Sequence, residues 1–398
     1  MKKLLLATSA CALMAGAAAA EDVKIGILIG FTGPIESLTS HMANAAEAAM
    51  AEVNASGKAK NTYTSVRGDS TCVDAAAATA AAERMVTAEG VKGIIGGGSS
   101  RVTRAVLTNV AMPNGIVMVS PSATSPALTA DPDNGLFFRT APSDAREGEV
   151  MGEILSEKGV KSIALTYSNS DYGKGLAEAI AAGFAAKGGT VTINAAHDDG
   201  KADYSAEVAA LAAGGGDILV VAGYLDQGGK GIIQASLDTG AFTTFGLPGG
   251  MVGDSLPAAI GPALDGSYGQ VAQSDSEGAA ILADMGKAND PAYDATSPYT
   301  MESYDAAALI MLAMEATGST DSNVYKEKIM EIANGPADGS GVKILPGELG
   351  KALELIAAGT AIDYDGASGV TLIGPGESAG RYKQFEVKGG VYETVQFR

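Results

Sequence analysis

Val91–Pro126, VKGIIGGGSSRVTRAVLTNVAMPNGIVMVSPSATSP, is the stretch whose reading decides the fold. A short apolar run, Val91–Ile95, stops at Gly96-Gly97-Gly98. Ser99 and Ser100 then stand where a helix N-cap belongs, ahead of Val102–Ala111. Ile116–Val119 reads as a second buried-type strand, ended by Pro121 before Ser122-Ala123-Thr124. Two successive strands of a parallel sheet deliver Ser99, Ser100, Ser122 and Thr124 to one carboxyl edge, and open α/β sheets bind ligands at that edge. Hydroxyls and free helix N–H groups both donate toward negative charge, so the edge suits a carboxylate. The competing reading is that these residues only cap helices and fill turns, as Ser and Thr do widely.

The same alternation extends on both sides. Val23–Ile29 reads as a strand ending at Gly30-Phe31-Thr32-Gly33-Pro34, Ser40–Val53 as a helix, Thr62–Val66 as a strand and Val73–Ala88 as a helix. After Thr140 the order repeats. Gly148–Glu157, Gly173–Lys187, Tyr204–Ala213 and Gly228–Thr239 read as helices, and Ser162–Tyr167, Thr190–Asn194 and Ile218–Val221 as strands. Glu89-Gly90-Val91-Lys92 and Lys158-Gly159-Val160-Lys161 each lead into a strand. The expected fold is therefore α/β, with two doubly wound parallel-sheet lobes joined by several short crossings that act as a hinge. Past Ser255 the pattern loosens. Pro298–Gly318 holds a helix with Ala306, Leu309, Ile310, Ala313 and Met314 on its apolar face, and Tyr325–Ala333 and Leu349–Gly359 are further helices. Tyr382–Val387 and Val391–Phe397 alternate like a hairpin around Gly389-Gly390.

The 398 residues are enough for two full cores. Met1-Lys2-Lys3 followed by the apolar Leu4–Ala20 has the pattern of a secretory signal peptide cut before Glu21. A lipid on Cys11 is the other reading, but Thr8-Ser9-Ala10 lacks the usual leucine. The expected address is the periplasm, with no later apolar run near the ~20 residues a membrane span needs. Without Lys2 and Lys3, 25 basic residues face 46 acidic ones, a formal charge of −21. That balance argues against nucleic acid and anionic membranes as partners.

Catalytic signatures are sparse. His41 and His197 lie far apart, with no metal-type cluster around either, so neither a metal nor a cofactor is expected. There is no GxGxxG or Walker sequence. Gly253-Asp254-Ser255-Leu256 spells the GDSL hydrolase signature, but Ser255 is mid-chain and no histidine follows it. A secreted hydrolase using Ser255 is the enzyme alternative; the expectation is a protein that is not an enzyme.

Seven motifs occur in order: Gly33-Pro34, Ile95–Thr103, Ser120–Leu128, Phe138-Arg139, Asp171-Tyr172-Gly173-Lys174-Gly175, Gly223-Tyr224 and Tyr304-Asp305-Ala306. On these the chain resembles the periplasmic leucine/isoleucine/valine-binding proteins that feed ABC transporters, the type I solute-binding fold. The resemblance implies lobe 1 from 21–141 and 270–362, and lobe 2 from 142–269 and 363–398. It implies a monomer that captures an amino acid between the lobes and docks on an ABC permease; a periplasmic sensor for a receptor is the variant reading. Carried over by residue, Ser100 donates to the ligand carboxylate, flanked by Ser99 and Gly98. Ser122 through its carbonyl and Thr124 through its hydroxyl bind ammonium and carboxylate, with Ala123 between them. Tyr172 and Tyr224 close from lobe 2 and Tyr299 from near the hinge.

Three departures from that family stand out. Its glutamate for the ammonium would fall at Gly249, in Leu247-Pro248-Gly249-Gly250, where no charge is supplied. Asp226 or Asp171 would have to substitute, unless both are simply solvated acids. A ligand other than an aliphatic amino acid, such as an amide, a urea-like compound or a carboxylate without an amine, is the further possibility. Cys72 matches a position whose disulfide partner is replaced here by Ser99, which implies a free, buried thiol. Leu38 stands where the family has an aromatic after Gly33-Pro34.

Overall fold

Residues 21–289 and 294–398 are described by the computed structural model. The signal-peptide and Cys11 readings fall outside them. β1 (Glu21–Ile29), β2 (Asn61–Asp69), β3 (Ile94–Gly96), β4 (Met118–Ser120) and β5 (Phe137–Pro142) form one parallel sheet in the order 2-1-3-4-5. β6 (Ser162–Ser168), β7 (Thr190–His197), β8 (Ile218–Ala222), β9 (Phe245–Leu247) and β10 (Tyr268–Ala272) form a second sheet wound in the same way. The burial of each strand follows its place. Central β8, Ile-Leu-Val-Val-Ala, is buried at all five positions, while edge strand β7 alternates, as a strand covered on one side must.

β11 (Val342–Ile344) and β12 (Ile362–Tyr364) make a small separate pair. β13 (Leu372–Ile373) and β14 (Glu377–Ser378) then add to the first sheet beside β5, whereas β15 (Tyr382–Lys388) and β16 (Val391–Phe397) add antiparallel to β10. The chain thus passes between sheets near 143, between 272 and 300, and at 379–381. The last passage lies almost 20 residues beyond the expected 362–363, because strands of two residues carry no readable alternation. The hairpin turn does fall at Gly389-Gly390, both at positive φ, as a tight two-residue turn requires.

The helix Thr300–Thr317 departs from its expected one-sided stripe: Thr300–Glu315 are buried all round. It packs against the helices Glu36–Ser56, Ser322–Asn334 and Leu349–Ala357 and against β3, β4 and β5. Its three acids are buried with it, and two of them, Glu315 and Asp305, take hydrogen bonds from neighbouring elements. Glu315 accepts from the N–H groups of Lys60 (2.9 Å) and Asn61 (3.2 Å) and from the Tyr63 hydroxyl (2.9 Å). Asp305 accepts from Tyr364, from the Ala367 N–H and from Ser368.

The helix Asp144–Glu157 starts one turn earlier than the apolar periodicity indicates, capped by Ser143 on the Ala145 N–H. It crosses the helix Asp171–Ala186 at backbone distance. A Cβ on Gly148 would stand 2.3 Å from the Ala179 carbonyl carbon, one on Gly152 2.4 Å from that of Gly183, and one on Gly183 2.2 Å from the Gly148 oxygen. Only glycine fits such a crossing. Gly183→Ala should lower the unfolding free energy in urea by about 1–3 kcal/mol, the cost of overpacking a site that cannot give way; an unchanged midpoint would show that the helices can separate at no cost.

Candidate binding cleft

In a sheet of order 2-1-3-4-5 the crossovers leave in opposite directions beside the first strand, and the loops diverge there into a crevice. In the first sheet the loops flanking that point are those after β1 and β3; in the second, those after β6 and β8. Ser99 and Ser100 follow β3, Tyr172 follows β6 and Tyr224 follows β8. The two crevices face each other, and Ser99, Ser100, Ser122, Ala123, Thr124, Tyr172, Tyr224, Gly249 and Tyr299 are all buried between the lobes.

The lobe 1 turns are bound into one piece. Ser120 Oγ donates to the Gly97 carbonyl (2.7 Å) and accepts from the Ala123 N–H (3.0 Å), and Ser122 Oγ donates to the Gly98 carbonyl (3.0 Å). Arg139, 1% exposed, holds the Ala123 and Ser125 carbonyls at 3.2 and 2.9 Å and pairs with Glu377. Gly98 packs so closely on Gly30 and Cys72 that a Cβ there would lie 3.1 Å from the Gly30 nitrogen. The two serines differ in what they have left to offer. Ser99 Oγ gives its proton to the Cys72 carbonyl (2.5 Å), whereas Ser100 Oγ accepts from the Ser125 N–H (3.1 Å) and keeps its own proton to donate. Cys72 is a free, buried thiol, and burial pushes it up to about 12.

From lobe 2, Tyr172 and Tyr224 stack with centroids 5.0 Å apart, and the Tyr172 hydroxyl accepts from the Gly250 N–H at 3.1 Å. Gly250 has no room for a side chain, since a Cβ would meet that hydroxyl at 2.4 Å. Tyr299 enters from the second passage between the sheets, at φ +63°.

Neither acid offered as a substitute for the missing glutamate is free. Asp226 bonds Lys230 (2.9 Å), Ser255 (2.9 Å) and Ser37 (2.7 Å), and its N–H donates to the Pro34 carbonyl. Burial raises this carboxyl, but Lys230, Ser37 and Ser255 outweigh it and hold it below its usual range. It ties the lobes together at one mouth of the cleft and engages Ser255, the serine of the GDSL match. Asp171 pairs with Arg104 (2.9 Å) at the other mouth, beside a groove of about 680 Å³ that also includes Lys174 and Glu149.

Two residues outside the expected set reach the site. Glu147 Oε1 accepts from the Gly249 N–H at 2.7 Å and from Gln270 at 3.3 Å, and Asp144 lies three residues earlier on the same helix. Both are fully buried. Burial pushes Glu147 up to about 7; burial and then the Glu147 charge push Asp144 up as well. Among the described residues Thr124 Oγ1, both carboxylate oxygens of Asp144 and the Tyr224 hydroxyl make no well-formed hydrogen bond, although Thr124 and Asp144 lie beside each other across the cleft. Starting the helix at Gly148 leaves Asp144 and Glu147 in an apparent loop. The acid-rich first turn after Ser143 is the signal that would have included them.

A family model described as periplasmic binding protein matches residues 22–334. The Leu/Ile/Val-binding protein of Escherichia coli (strain K12) is 31% identical over 267 residues, covering 66% of this chain and 71% of its own. The branched-chain amino acid transporter substrate-binding protein of Streptococcus pneumoniae, solved with isoleucine, superposes with a TM-score of 0.77 at 21% identity over 94% of this chain and 99% of that one. An ABC transporter solute-binding protein of R. palustris, solved with 4-hydroxybenzoate, gives 0.76 at 19% identity over 95% and 97%. With two lobes wound alike and a closed crevice at their paired switch points, the chain belongs to the periplasmic binding protein family.

Proposed function

We propose that this chain is the periplasmic substrate-binding component of an ABC importer, directed to the periplasm by Met1–Ala20 and acting as a monomer. It captures a small solute, a branched-chain or other hydrophobic amino acid or a related amide or carboxylate, and delivers it to a permease. The observation that carries this reading is the set of buried polar atoms on the facing loops that make no well-formed hydrogen bond among the described residues, Thr124 Oγ1 from one lobe and, from the other, Asp144 beside it and Tyr224. Buried polar groups without partners are costly, and a solute enclosed between the lobes supplies those partners while holding the lobes shut. The E. coli and S. pneumoniae relatives, named for branched-chain amino acids, support the amino-acid end of the range. The R. palustris neighbour supports the carboxylate end.

The test is thermal unfolding of the mature chain, freed of solute by unfolding and refolding, with leucine, isoleucine, valine, their 2-oxo acids, short amides, urea and 4-hydroxybenzoate. At least one class should raise the midpoint by mass action, and Thr124→Val should reduce that rise. No rise from any of them would overturn the reading.

The acid pair also fixes how the empty protein responds to pH. A carboxyl raised from its ordinary 4.5 to about 7 holds, in the folded state, a proton that the unfolded chain has already released. Stability therefore falls as pH rises through that window. Glu302, pushed by burial to about 8, and Asp305, to about 6, act in the same direction, so the informative quantity is a difference between proteins. Relative to Glu147→Gln, the wild type should lose stability between pH 5 and 8, at up to about 1 kcal/mol per pH unit in the steepest part. Parallel stability curves would mean that Glu147 does not hold that proton.

A further inference from the structure

At Gly249 the chain lacks a side chain, and the space is already taken from another direction. A Cβ built there would lie 3.0 Å from the Tyr299 hydroxyl and 3.4 and 3.7 Å from the two oxygens of Glu147. The carboxylate therefore arrives from the first turn of the helix Asp144–Glu157 instead of from the turn after β9. Gly249 is the residue that leaves room for it. The Gly249 N–H and the Gln270 amide fix Oε1, and this aims the group into the cleft.

Two carboxyl groups share this point. Asp144 and Glu147 are two buried acids on one helix face that lie beside each other, and among the described residues neither oxygen of Asp144 makes a well-formed hydrogen bond. The uncharged groups packed about them are Thr124, Gln270 and the tyrosines 172, 299 and 382. Arg139, whose charge reaches Asp144, spends its hydrogen bonds on Glu377, Thr129 and two backbone carbonyls. Neither an anionic solute nor a neutral amide brings these raised carboxyls a positive charge that would favour their ionised form. An ammonium brings one positive charge and three donors, and it meets acceptors on Asp144 and Glu147 at once.

We propose that Glu147, with Asp144, is the cation anchor of the cleft, placed opposite the vacant side-chain position at Gly249, and that the solute is consequently an α-amino acid with its ammonium intact. This rests on the solute-capture reading above and narrows its ligand class: the 2-oxo acids, amides and aromatic carboxylates are rejected.

Calorimetric titration at pH 7.5 tests this, using the refolded mature chain with whichever of the twenty amino acids raises its midpoint most. The same amino acid's 2-oxo acid and des-amino acid, and 4-hydroxybenzoate, are titrated beside it. The amino acid should bind the wild type at least about 100-fold more tightly than either relative lacking the amine, because two charge-assisted contacts are lost together. Glu147→Gln should weaken the amino acid by about 10- to 100-fold and narrow that ratio, while leaving the 2-oxo acid equal or tighter. E147A/G249E, which brings a carboxylate into the same space from the β9 turn, should recover at least part of the loss. This recovery separates a charge effect from a folding defect.

Equal binding of the 2-oxo acid by the wild type, or unchanged amino-acid binding by a folded Glu147→Gln, overturns the anchor. Binding of 4-hydroxybenzoate or an amide without any amino acid overturns the anchor and leaves solute capture standing. Binding of nothing in either panel overturns both.

Discussion

A parallel sheet whose second strand lies on the far side of its first has to send consecutive crossovers in opposite directions. The loops at that reversal cannot close over the sheet edge. This constraint operates twice in the chain, once beside β1 and once beside β6, and it places Ser99, Ser100, Tyr172 and Tyr224 in the cleft. The glycine–serine turn after β3 and the two stacked tyrosines after β6 and β8 are the loop ends at those reversals. The lobes need no specialised binding module, because each contributes the edge its winding leaves open.

The two edges differ in chemistry. Lobe 1 offers hydroxyl and backbone donors, made rigid by the bonds from Ser120 and Ser122 and by the buried Arg139. Lobe 2 offers acceptors and aromatic surface. Under the proposed reading a zwitterion is held at one end by each lobe, so the same contacts that bind it also hold the lobes together. The clasps at the mouths, Arg104 with Asp171 and Ser37 with Asp226, are partly exposed. Of the two only Arg104 with Asp171 is an ion pair, and an exposed pair contributes about 0–1 kcal/mol.

Much of this was legible in the sequence. The alternation of apolar strands with Ala-rich helices, and its repetition after Thr140, contains the two-lobed α/β fold, since continuous apolar runs mark strands buried on both faces. The positions of Ser100, Thr124, Tyr172 and Tyr224 were equally readable, because each follows a strand directly. Three things were not. The late return of 372–378 to the first sheet rests on strands too short to show a period. The all-round burial of Thr300–Glu315 depends on partners that arrive from six separate elements. Glu147 was hidden because a glutamate in a first helical turn reads as a solvent-facing complement to the helix dipole. Only the glycine-to-glycine crossing at Gly148, Gly152 and Gly183 seats that turn in the interior.

The acid pair also lies where the passages between the lobes converge. Asp144 is two residues past β5, and its N–H donates to the Thr124 carbonyl at 2.8 Å. The Tyr382 hydroxyl, at the third passage, donates to the Ser143 carbonyl at 3.4 Å, and Tyr299 belongs to the second. In a hinged body, displacement grows with distance from the axis. Groups beside the pivot sweep a short arc while those at the rim sweep a long one. Opening therefore separates Arg104 from Asp171 much further than it separates Thr124 from Asp144. Under the proposed reading, a solute entering an open form meets Asp144 and Glu147 already close to their final positions, and the rim then closes over it like the free end of a lever.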